Sequence, residues 1–250
     1  MLLSNKAYTW PDGVGRTVLA ETDSTMTEAA RVAASCAFPQ WILAHRQSAG
    51  HGRRGRAWAM PKGNFAATLL MFPTEAPEIV ALRSFVAALA LHEALVTVSG
   101  RPESFALKWP NDVLLNGGKV AGILLERGKA HLSIGIGVNL ADAPTPAEVE
   151  AGAVAPVSLL SETGVNVPPE AFLDILAPAY AHWETQFTTY GFAPIRTAWL
   201  DRAARLGALI RARTVTEEHH GTFETVDAFG NLVLKTAKGR RSIPAAEVYF

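Results

Sequence analysis

Cysteine and net charge are nearly absent from this chain of 250 residues. Its single cysteine, Cys36, excludes an internal disulfide framework and suits a reducing compartment such as the cytoplasm. The 23 basic and 23 acidic residues cancel, so the chain lacks the overall charge that draws proteins to nucleic acids or membrane surfaces. We therefore predict a cytoplasmic protein that has neither DNA nor a membrane as its partner.

Long hydrophobic runs are also missing. Residues 1–6 lack the apolar core of a signal peptide, and the most hydrophobic stretch, residues 84–91, is bounded by Arg83 and Glu93. A membrane span needs about 20 apolar residues, so this stretch is too short. With 49% hydrophobic and 18% charged residues, the composition is that of a globular protein with a substantial core.

The P-loop pattern of nucleotide-binding proteins is absent, and the chain instead carries a different glycine-rich segment at residues 46–62, here called the arginine loop. Its glycines alternate with His51, Arg53, Arg54 and Arg56. Glycine lets a backbone come close to a ligand, and arginine offers forked donors for phosphate and carboxylate oxygens. This pattern predicts a loop that stays mobile until an anionic ligand orders it. A solvated basic turn and a nucleic-acid patch are the alternatives for the loop alone.

Local patterns predict the elements around this loop. Short apolar runs predict strands at residues 17–20, 41–45 and 64–72. A helix is predicted from residue 24 to about residue 37, where Thr25 and Glu28 have the spacing of a capping box. Ser24 and Thr25 can therefore start this helix. Alternatively, their hydroxyls bind a polar ligand group at the helix N-terminus, where free backbone N–H groups also point.

Three sequential antiparallel strands are predicted in the middle of the chain. Asn116 and Gly117, between two apolar runs, are a strong signal for a type I′ hairpin turn. The third strand, residues 131–139, contains Gly135 and Gly137, which indicate that something approaches its backbone closely. The sequence places a polar cluster at one end of these strands: Lys108, Asn111, Asp112 and Lys119. Solvated strand ends and a turn are the plainer explanation of these four residues.

Further helices are predicted at residues 79–98, 168–190 and 193–204. His92, in the first of them, is expected to be partly exposed. After Arg205, short alternating segments separated by turn residues predict a small β-barrel docked on the main domain. We therefore assign residues 1–204 to a main domain and residues 205–250 to a C-terminal barrel.

Five motifs resemble those of the biotin–protein ligases, the family that attaches biotin to carrier domains of carboxylases. They are Asp23-Ser24-Thr25, Gln47 with residues 50–58, Lys108-Trp109-Pro110-Asn111-Asp112, residues 119–124 and residues 135–139. The likeness is strong over residues 15–140, and five motifs in family order are far more specific than one. The resemblance implies an α+β fold, with a mixed β-sheet catalytic domain related to class II aminoacyl-tRNA synthetases and a small C-terminal SH3-like β-barrel.

The same resemblance implies a reaction. Biotin and ATP form biotinyl-5′-AMP, an acyl-adenylate, and biotin is then transferred to a lysine of a biotin carboxyl carrier protein of acetyl-CoA carboxylase or a related carboxylase. Mg²⁺ is expected with ATP, although the sequence shows no dedicated metal-ligand cluster. The short lead before Ser24 is too small for the DNA-binding domain of some members, so a monofunctional ligase is expected. The resemblance does not decide between a monomer and a homodimer.

By resemblance, three groups of residues form the site. The catalytic residues are Lys119, Arg53, Arg54 and Asp112, and Asp112 is expected to accept a hydrogen bond from the incoming lysine or to position it. The biotin-binding residues are Ser24, Thr25, Gln47, Gly50, His51, Gly52, Arg53, Lys119 and Gly122. The ATP-binding residues are Arg53, Arg54, Trp58, Lys108, Asn111 and Asn139. No residue is assigned to a metal.

Two residues depart from the family pattern. His51 stands where the family has arginine, so ligand affinity should depend on pH if a side-chain charge is needed there. Met26 stands where the family has asparagine, which weakens one polar contact. The alternatives to a biotin ligase are a lipoate ligase or octanoyltransferase on the same fold, and a non-catalytic biotin-binding module. Lys119 and the full set of loop arginines argue against the module, because binding alone does not need cations on the phosphate side.

Overall fold

Two β-sheets carry the chain, and the computed structural model describes residues 9–145 and 154–250. Residues 1–6, for which we predict no signal peptide, lie outside the described residues. The strands are β1 (Gly15–Leu19), β2 (Gln40–Ala44), β3 (Phe65–Met71), β4 (Phe105–Lys108), β5 (Asp112–Leu115), β6 (Gly118–Arg127), β7 (Leu132–Val138), β8 (Leu209–Arg213), β9 (Glu218–Val226), β10 (Leu232–Thr236), β11 (Gly239–Ile243) and β12 (Glu247–Tyr249). The helices are α1 (Thr25–Val32), α2 (Pro77–Ala81), α3 (Arg83–Ser99), α4 (Leu159–Thr163), α5 (Pro169–Tyr190) and α6 (Phe192–Leu200). The predicted α+β class is confirmed.

The larger sheet is mixed, with the strand order β1-β2-β3-β7-β6-β5-β4. β1 pairs with β2 in parallel, and every other neighbouring pair is antiparallel. Because side chains alternate between the two faces of a strand, Trp41 and Leu43 of β2 join the main core with α3 and α5. Ile42, which lies between them, packs with Ala29 of α1. Both faces of the sheet are therefore covered, which is why its central strands read as continuous apolar runs.

Helices α2 and α3 form an apolar segment inside the core. Together they span Pro77–Ser99, which is 23 residues long and contains a window with a mean hydropathy of 1.8. By length and composition alone, this segment could cross a membrane. However, 72% of that window is buried inside the protein. The stretch that we expected to be too short for a span is thus part of a longer core helix. Arg83 can lie in it with 2% of its side chain exposed because its guanidinium pairs with Glu75 at 2.6 Å and Glu184 at 2.8 Å.

Helix α1 starts at the predicted residues but ends earlier than predicted. It ends at Val32 instead of near residue 37. Its N-cap is Ser24, whose Oγ accepts a hydrogen bond from a first-turn amide at 3.2 Å. The predicted capping box of Thr25 and Glu28 is wrong, because the Glu28 carboxylate pairs with an arginine of its own helix at 2.7 Å.

The predicted hairpin turn is confirmed, since Asn116 and Gly117 have φ values of 50° and 84°, the left-handed values that a type I′ turn requires. The antiparallel strands in this region number four instead of three, because β4 pairs with β5 ahead of the turn. A further strand that we did not predict, β12, lies in the C-terminal sheet. The last predicted helix ends at Leu200 instead of residue 204.

The C-terminal sheet is antiparallel, with the order β11-β10-β9-β8-β12. It packs on the main domain through the turn between β9 and β10. A Cβ at Gly230 would lie 2.9 Å from side-chain atoms of both Leu82 and Phe85, and the Gly230 carbonyl accepts a hydrogen bond from Trp109 Nε1 at 3.0 Å. One hydrophobic core continues through both sheets. The domain boundary after residue 204 stays a prediction.

His92 is buried in α3, with 7% of its surface exposed, so the expectation of partial exposure is wrong. Its ring packs edge-on against Phe105, and burial together with the charge of Arg202 lowers its pKa to about 4. The folded protein therefore holds His92 neutral, whereas the unfolded chain protonates it below about pH 6.5. The contribution of His92 to the free energy of unfolding should be constant above that pH and fall as the pH drops toward 4, with a loss of about 2 kcal/mol at pH 5.

Urea unfolding at pH 7.5 and at pH 5 measures this loss. The variant His92→Leu should abolish most of the pH dependence, because it removes the group that takes up the proton. His182→Leu, at an exposed position of α5, should keep it and serves as the matched control. The same pH dependence in the wild type and in His92→Leu would show that another group is responsible.

Candidate functional site

A cavity of about 520 Å³ opens where the mixed sheet, the arginine loop and β12 meet. Strands β6 and β7 form its floor, and the start of α1, the arginine loop and the last strand of the C-terminal sheet form its walls. All of the predicted site residues line this cavity except Gly50 and Arg54. The sheet thus brings together groups that lie more than 100 residues apart in the sequence, such as Ser24 and Asn139.

The end of the cavity next to α1 is polar but uncharged. Gln47 Oε1 accepts hydrogen bonds from Thr25 N at 2.7 Å and from Thr25 Oγ1 at 3.1 Å, and Thr25 Oγ1 accepts one from Thr68 at 2.8 Å. Ser24 lines the same end while it caps α1, so the two roles considered for it are compatible. Gly50 lies behind Gln47, where a Cβ would be 2.8 Å from the amide nitrogen. Such a fixed set of hydroxyls and an amide suits a neutral ligand group that has both donors and acceptors.

Glycines in the floor strands let large side chains lie directly on the sheet. A Cβ at Gly137 would be 2.4 Å from the ring of Trp58, and one at Gly122 would be 3.3 Å from the same ring. At Gly135 the added Cβ would be 2.7 Å from Met26 Sδ. The close approach predicted for β7 is confirmed, although the approaching groups are the protein's own side chains. Met26 therefore fills space over the floor at the uncharged end.

Asp112 holds two lysines in the middle of the cavity. Its Oδ1 lies 2.7 Å from Lys119 Nζ, and its Oδ2 lies 3.5 Å from Lys108 Nζ. Burial alone would raise the pKa of Asp112, but the charges of Lys119 and Lys108 outweigh burial and hold the pKa below its ordinary value. Burial lowers the pKa of Lys108, and the charge of Asp112 opposes this shift. Lys119 is the more exposed lysine, at 31% against 9%, so it is the one that presents its charge to the cavity.

The arginine loop forms a short hairpin of its own. Two backbone hydrogen bonds close it, from Gly52 N to Arg56 O at 2.7 Å and from Trp58 N to Gly50 O at 2.9 Å. Between them, Arg53–Gly55 form a single 3₁₀ turn in which Arg54 has a φ of 58°. This left-handed value is unfavourable for a residue with a side chain, so contacts around the loop must hold it.

The arginines of this loop meet different partners. Arg53 reaches into the cavity, where its Nη1 donates to Asn111 Oδ1 at 3.3 Å, and burial lowers its pKa. Arg54 and Arg56 both reach Glu247 of β12, at 3.1 Å and 2.5 Å. Arg56 lines the cavity and Arg54 does not. The catalytic and ATP-binding roles predicted for Arg54 stay predictions. Arg56 belongs to the loop pattern but was not among the predicted site residues, and it joins the site.

Three other predicted site residues are held in place by the protein itself. Asn111 Nδ2 donates to a β6 carbonyl at 2.6 Å, and Asn139 Nδ2 donates to Val157 O at 3.1 Å. His51 Nε2 lies 3.2 Å from the Glu126 carboxylate. All three line the cavity in fixed orientations, and their ligand contacts stay predictions.

The C-terminal sheet contributes Glu247, Val248 and Tyr249 to the cavity wall, and none of them was predicted. Strand β12 is only three residues long, so it carries almost no periodic signal. Only its pairing with β8 and the docking of the two sheets bring it to the arginine loop. No local feature of the sequence reports these long-range contacts.

The similarities to known proteins cover both parts of the chain. Residues 18–139 match the biotin/lipoate A/B protein ligase family, and residues 206–250 match the biotin protein ligase C-terminal domain. A biotin–[acetyl-CoA-carboxylase] ligase of Paracoccus denitrificans is 57% identical over 238 residues, which cover 93% of this chain and 99% of that protein. The bifunctional ligase/repressor BirA of Bacillus subtilis strain 168 is 29% identical over 213 residues, which cover 83% of this chain and 65% of that protein.

The fold has a close counterpart among solved structures. The biotin protein ligase of Aquifex aeolicus in complex with biotin and ATP superposes with a TM-score of 0.82 at 26% sequence identity. The superposition covers 94% of this chain and 97% of that chain. The similarity of fold therefore extends over both the mixed sheet and the C-terminal sheet.

Proposed function

The chain belongs to the biotin/lipoate A/B protein ligase family, and we propose that it is an ATP-dependent biotin–protein ligase. It forms biotinyl-5′-AMP from biotin and ATP and then transfers biotin to a specific lysine of a biotin carboxyl carrier protein. The relative that is 57% identical over nearly the whole chain is named a biotin–[acetyl-CoA-carboxylase] ligase. This name implies that the protein substrate is the carrier protein of that carboxylase.

The observation that carries this proposal is the division of one cavity into an uncharged polar end and a cationic end. Biotin has a neutral ring system with hydrogen-bonding groups at one end and a carboxylate at the other. The hydroxyl and amide groups near α1 suit the ring, and the lysines with the arginine loop suit the carboxylate and the phosphates of ATP. A site for an anion alone would not need the uncharged end.

In the first step, a carboxylate oxygen of biotin attacks the α-phosphorus of ATP, the bond from that phosphorus to the bridging oxygen breaks, and pyrophosphate leaves. Both reactants are anions, and bringing them together at low dielectric is costly unless fixed cations offset the repulsion. We assign this role to Lys119 and Arg53, both of which line the cavity, with Arg56 as a further cation. Asp112 orients Lys119 without neutralising the cluster, because two lysines share one carboxylate.

The ligand-binding roles follow the two ends of the cavity. We assign the biotin ring to Ser24, Thr25 and Gln47, and the carboxyl end of biotin to residues 51–53, Lys119 and Gly122. We assign the nucleotide to Arg53, Arg54, Trp58, Lys108, Asn111 and Asn139. Hydrogen bonds within the protein already orient several of these side chains, including Arg53, Asn111 and Asn139. This supports the assignment, because a preorganised site loses less side-chain conformational entropy when its ligand binds.

In the second step, the amine of the carrier lysine attacks the acyl carbonyl, AMP leaves with the bonding electron pair, and the amine loses a proton. Asp112 already faces two lysines, but a carboxylate has about four lone-pair positions, so it can accept a hydrogen bond from the incoming amine as well. The acyl-adenylate reacts readily with water, and the arginine loop lies where it can cover the intermediate.

Magnesium enters with ATP. Within residues 9–145 and 154–250, no three His, Cys, Asp or Glu side chains form a group that could hold a metal ion. The carboxylates that line the cavity, Asp112 and Glu247, are already paired with lysine or arginine. The phosphates of ATP and water would therefore supply most of the ligands of Mg²⁺, as is common at nucleotide sites.

We propose that the carrier domain is the protein partner, that DNA and membranes are not partners, and that the enzyme works in the cytoplasm. The balanced charge of the chain and the burial of its most apolar helix support this view. Sedimentation of the purified chain decides between a monomer and a homodimer.

The test of the function is ATP–pyrophosphate exchange with Mg²⁺ and with biotin, lipoate or octanoate in separate reactions. We expect exchange with biotin only, followed by transfer of biotin to a carrier domain but not to a carrier whose acceptor lysine is arginine. Exchange with lipoate instead would overturn the substrate. Biotin binding without any exchange would mean that the protein is a binding module, and the mechanism would be wrong.

A further inference from the structure

Glu247 connects the C-terminal sheet to the tip of the arginine loop. Its Oε1 lies 3.1 Å from Arg54 Nη1 and 2.5 Å from Arg56 Nη2. Its Oε2 accepts a hydrogen bond from Tyr249 at 2.8 Å and lies 3.3 Å from Arg213 Nη2. One carboxylate oxygen is thus fixed by the C-terminal sheet itself, and the other faces the loop.

The contact with Glu247 orients the loop arginines through one nitrogen of each guanidinium. A guanidinium has five N–H donors in a planar fork, and in these two ion pairs Arg54 and Arg56 each direct one nitrogen to Glu247. Arg56 lines the cavity while it makes this contact, and Arg54 does not line it. The Glu247 side chain is 16% exposed, whereas those of Arg54 and Arg56 are 42% and 46% exposed, so the carboxylate side of these ion pairs is the side that is shielded from solvent.

The loop tip needs such support. Arg54 has an unfavourable left-handed backbone conformation, and the tip residues 54–56 are exposed on their outer side. The base of the loop is held separately, by its own backbone hydrogen bonds and by the His51–Glu126 pair at 3.2 Å. Glu247 therefore acts on the part of the loop that carries the arginines, and not on the part next to the uncharged end of the cavity.

We propose that Glu247 is a positioning residue that holds the tip of the arginine loop at the ATP end of the cavity, so that Arg53 and Arg56 face the phosphates before ATP binds. The inference rests on the proposed ligase function and gives the C-terminal sheet a part in adenylation. Its contribution is the position of the cations, and Glu247 itself does not react.

The first test compares Glu247→Gln with wild type in biotin-dependent ATP–pyrophosphate exchange. The KM for ATP should rise about tenfold, because the ordering of the loop must then be achieved on binding. The KM for biotin should change less than about twofold, since the loop base and the uncharged end are untouched. Glu247→Asp, which keeps the charge on a shorter side chain, should recover part of the ATP affinity.

Glu224→Gln is the matched control. Glu224 lies in the same sheet and pairs with Arg240 at 2.8 Å to 3.0 Å, but it does not line the cavity. It should leave both KM values unchanged. An equal effect of the two variants, or no effect of Glu247→Gln, would overturn the proposal.

The second test reads the loop directly and needs no catalysis. Trypsin cleaves after arginine, so cuts after Arg53, Arg54 and Arg56 report how often the loop tip opens. Without ligands, Glu247→Gln should be cut at these positions several-fold faster than wild type, and biotin with ATP should slow the cuts in both. Equal cleavage rates would contradict the proposal. If Glu247→Gln is cleaved faster but wild type shows no ATP–pyrophosphate exchange, the role of Glu247 in holding the loop would stand and the ligase function would be overturned. Failure of this proposal and failure of the proposed function are therefore distinguishable.

The single variant Arg54→Gln breaks the contact from the loop side and covers the case in which Glu247→Gln does not fold, and a double-mutant cycle of the two variants tests whether the residues act together. If Arg54 acts through Glu247, Arg54→Gln should raise the KM for ATP as Glu247→Gln does, and the double variant should be no worse than either single variant. Effects that multiply would mean that Arg54 and Glu247 act independently, and the proposal would be wrong. An Arg54→Gln variant with wild-type KM would have the same meaning.

Discussion

Replacing Lys119 with alanine is expected to slow biotin-dependent ATP–pyrophosphate exchange by about 10²- to 10³-fold. Its Nζ lies 2.7 Å from Asp112 Oδ1 and 5.7 Å from the centroid of the Trp58 ring, so the charge has a fixed position at the cavity wall. A cation fixed in advance stabilises the charge that develops between carboxylate and phosphate without the reorganisation that water would need. Alanine removes this cation and leaves the rest of the cavity in place.

The exchange rate at saturating biotin and ATP is the measurement. Lys62→Ala is the control, because Lys62 belongs to the same loop region, is exposed and does not line the cavity. Lys119→Arg should recover only part of the rate, since a planar guanidinium does not reproduce the geometry of an ammonium group against Asp112. A Lys119→Ala rate close to that of Lys62→Ala would remove Lys119 from the mechanism.

Replacing Asp112 with asparagine is expected to lower the free energy of unfolding by about 3 kcal/mol and to slow exchange as well. The substitution keeps the size of the side chain but leaves two lysines without their shared counter-charge, and Lys108 has only 9% of its side chain exposed. An uncompensated buried charge is far more costly than the loss of a surface ion pair. Lys119 also loses the partner that orients it, which explains the expected loss of rate.

Urea unfolding at pH 7.5 measures the stability of this variant. Asp174→Asn, which breaks the more exposed pair with Arg16, is the control and should cost less than about 1 kcal/mol. Adding Lys108→Met to Asp112→Asn should restore part of the stability, because it removes the unpaired buried charge. If Asp112→Asn were as stable as the control, the cluster would not contribute to the fold.

The stability that Asp112 provides also has a pH dependence of known sign. Its pKa in the folded protein is below the ordinary value, so the folded state binds the proton less readily than the unfolded chain. The contribution is therefore complete above the ordinary carboxyl pKa and is lost as the pH falls through the lower, folded value. This window lies below the one expected for His92, whose pKa is about 4 against about 6.5 in the unfolded chain.

Elements with a strong local signal were predicted well. The turn at Asn116 and Gly117 needs only the two residues that tolerate positive φ, and the strands around it need only short apolar runs. Helix α1 shows the limit of such signals. The alanine-rich segment after Val32 favours a helix by composition, but the chain must turn there to enter β2 at Gln40, and this tertiary requirement overrides the local preference.

The candidate site was also predicted only in part from the sequence. Most of its residues stand in short motifs whose chemistry is visible in the residue types, such as Lys108 with Asp112 or the arginines of the loop. The direction in which each side chain points is not visible. Arg54 lies outside the cavity and Arg56 inside it because the 3₁₀ turn rotates them differently, and Trp58 lies on the floor because Gly122 and Gly137 leave room.

The sequence by itself determined the short motifs, and through their resemblance to the biotin–protein ligases it determined the fold class, the type of chemistry and most of the polar residues that line the cavity. Only the tertiary structure decided that the C-terminal sheet completes the cavity through Glu247, that His92 is buried and that Asp112 serves two lysines. Such contacts join segments far apart in the chain. Their free energy depends on how two sheets pack around one core, and no short segment of the sequence contains that information.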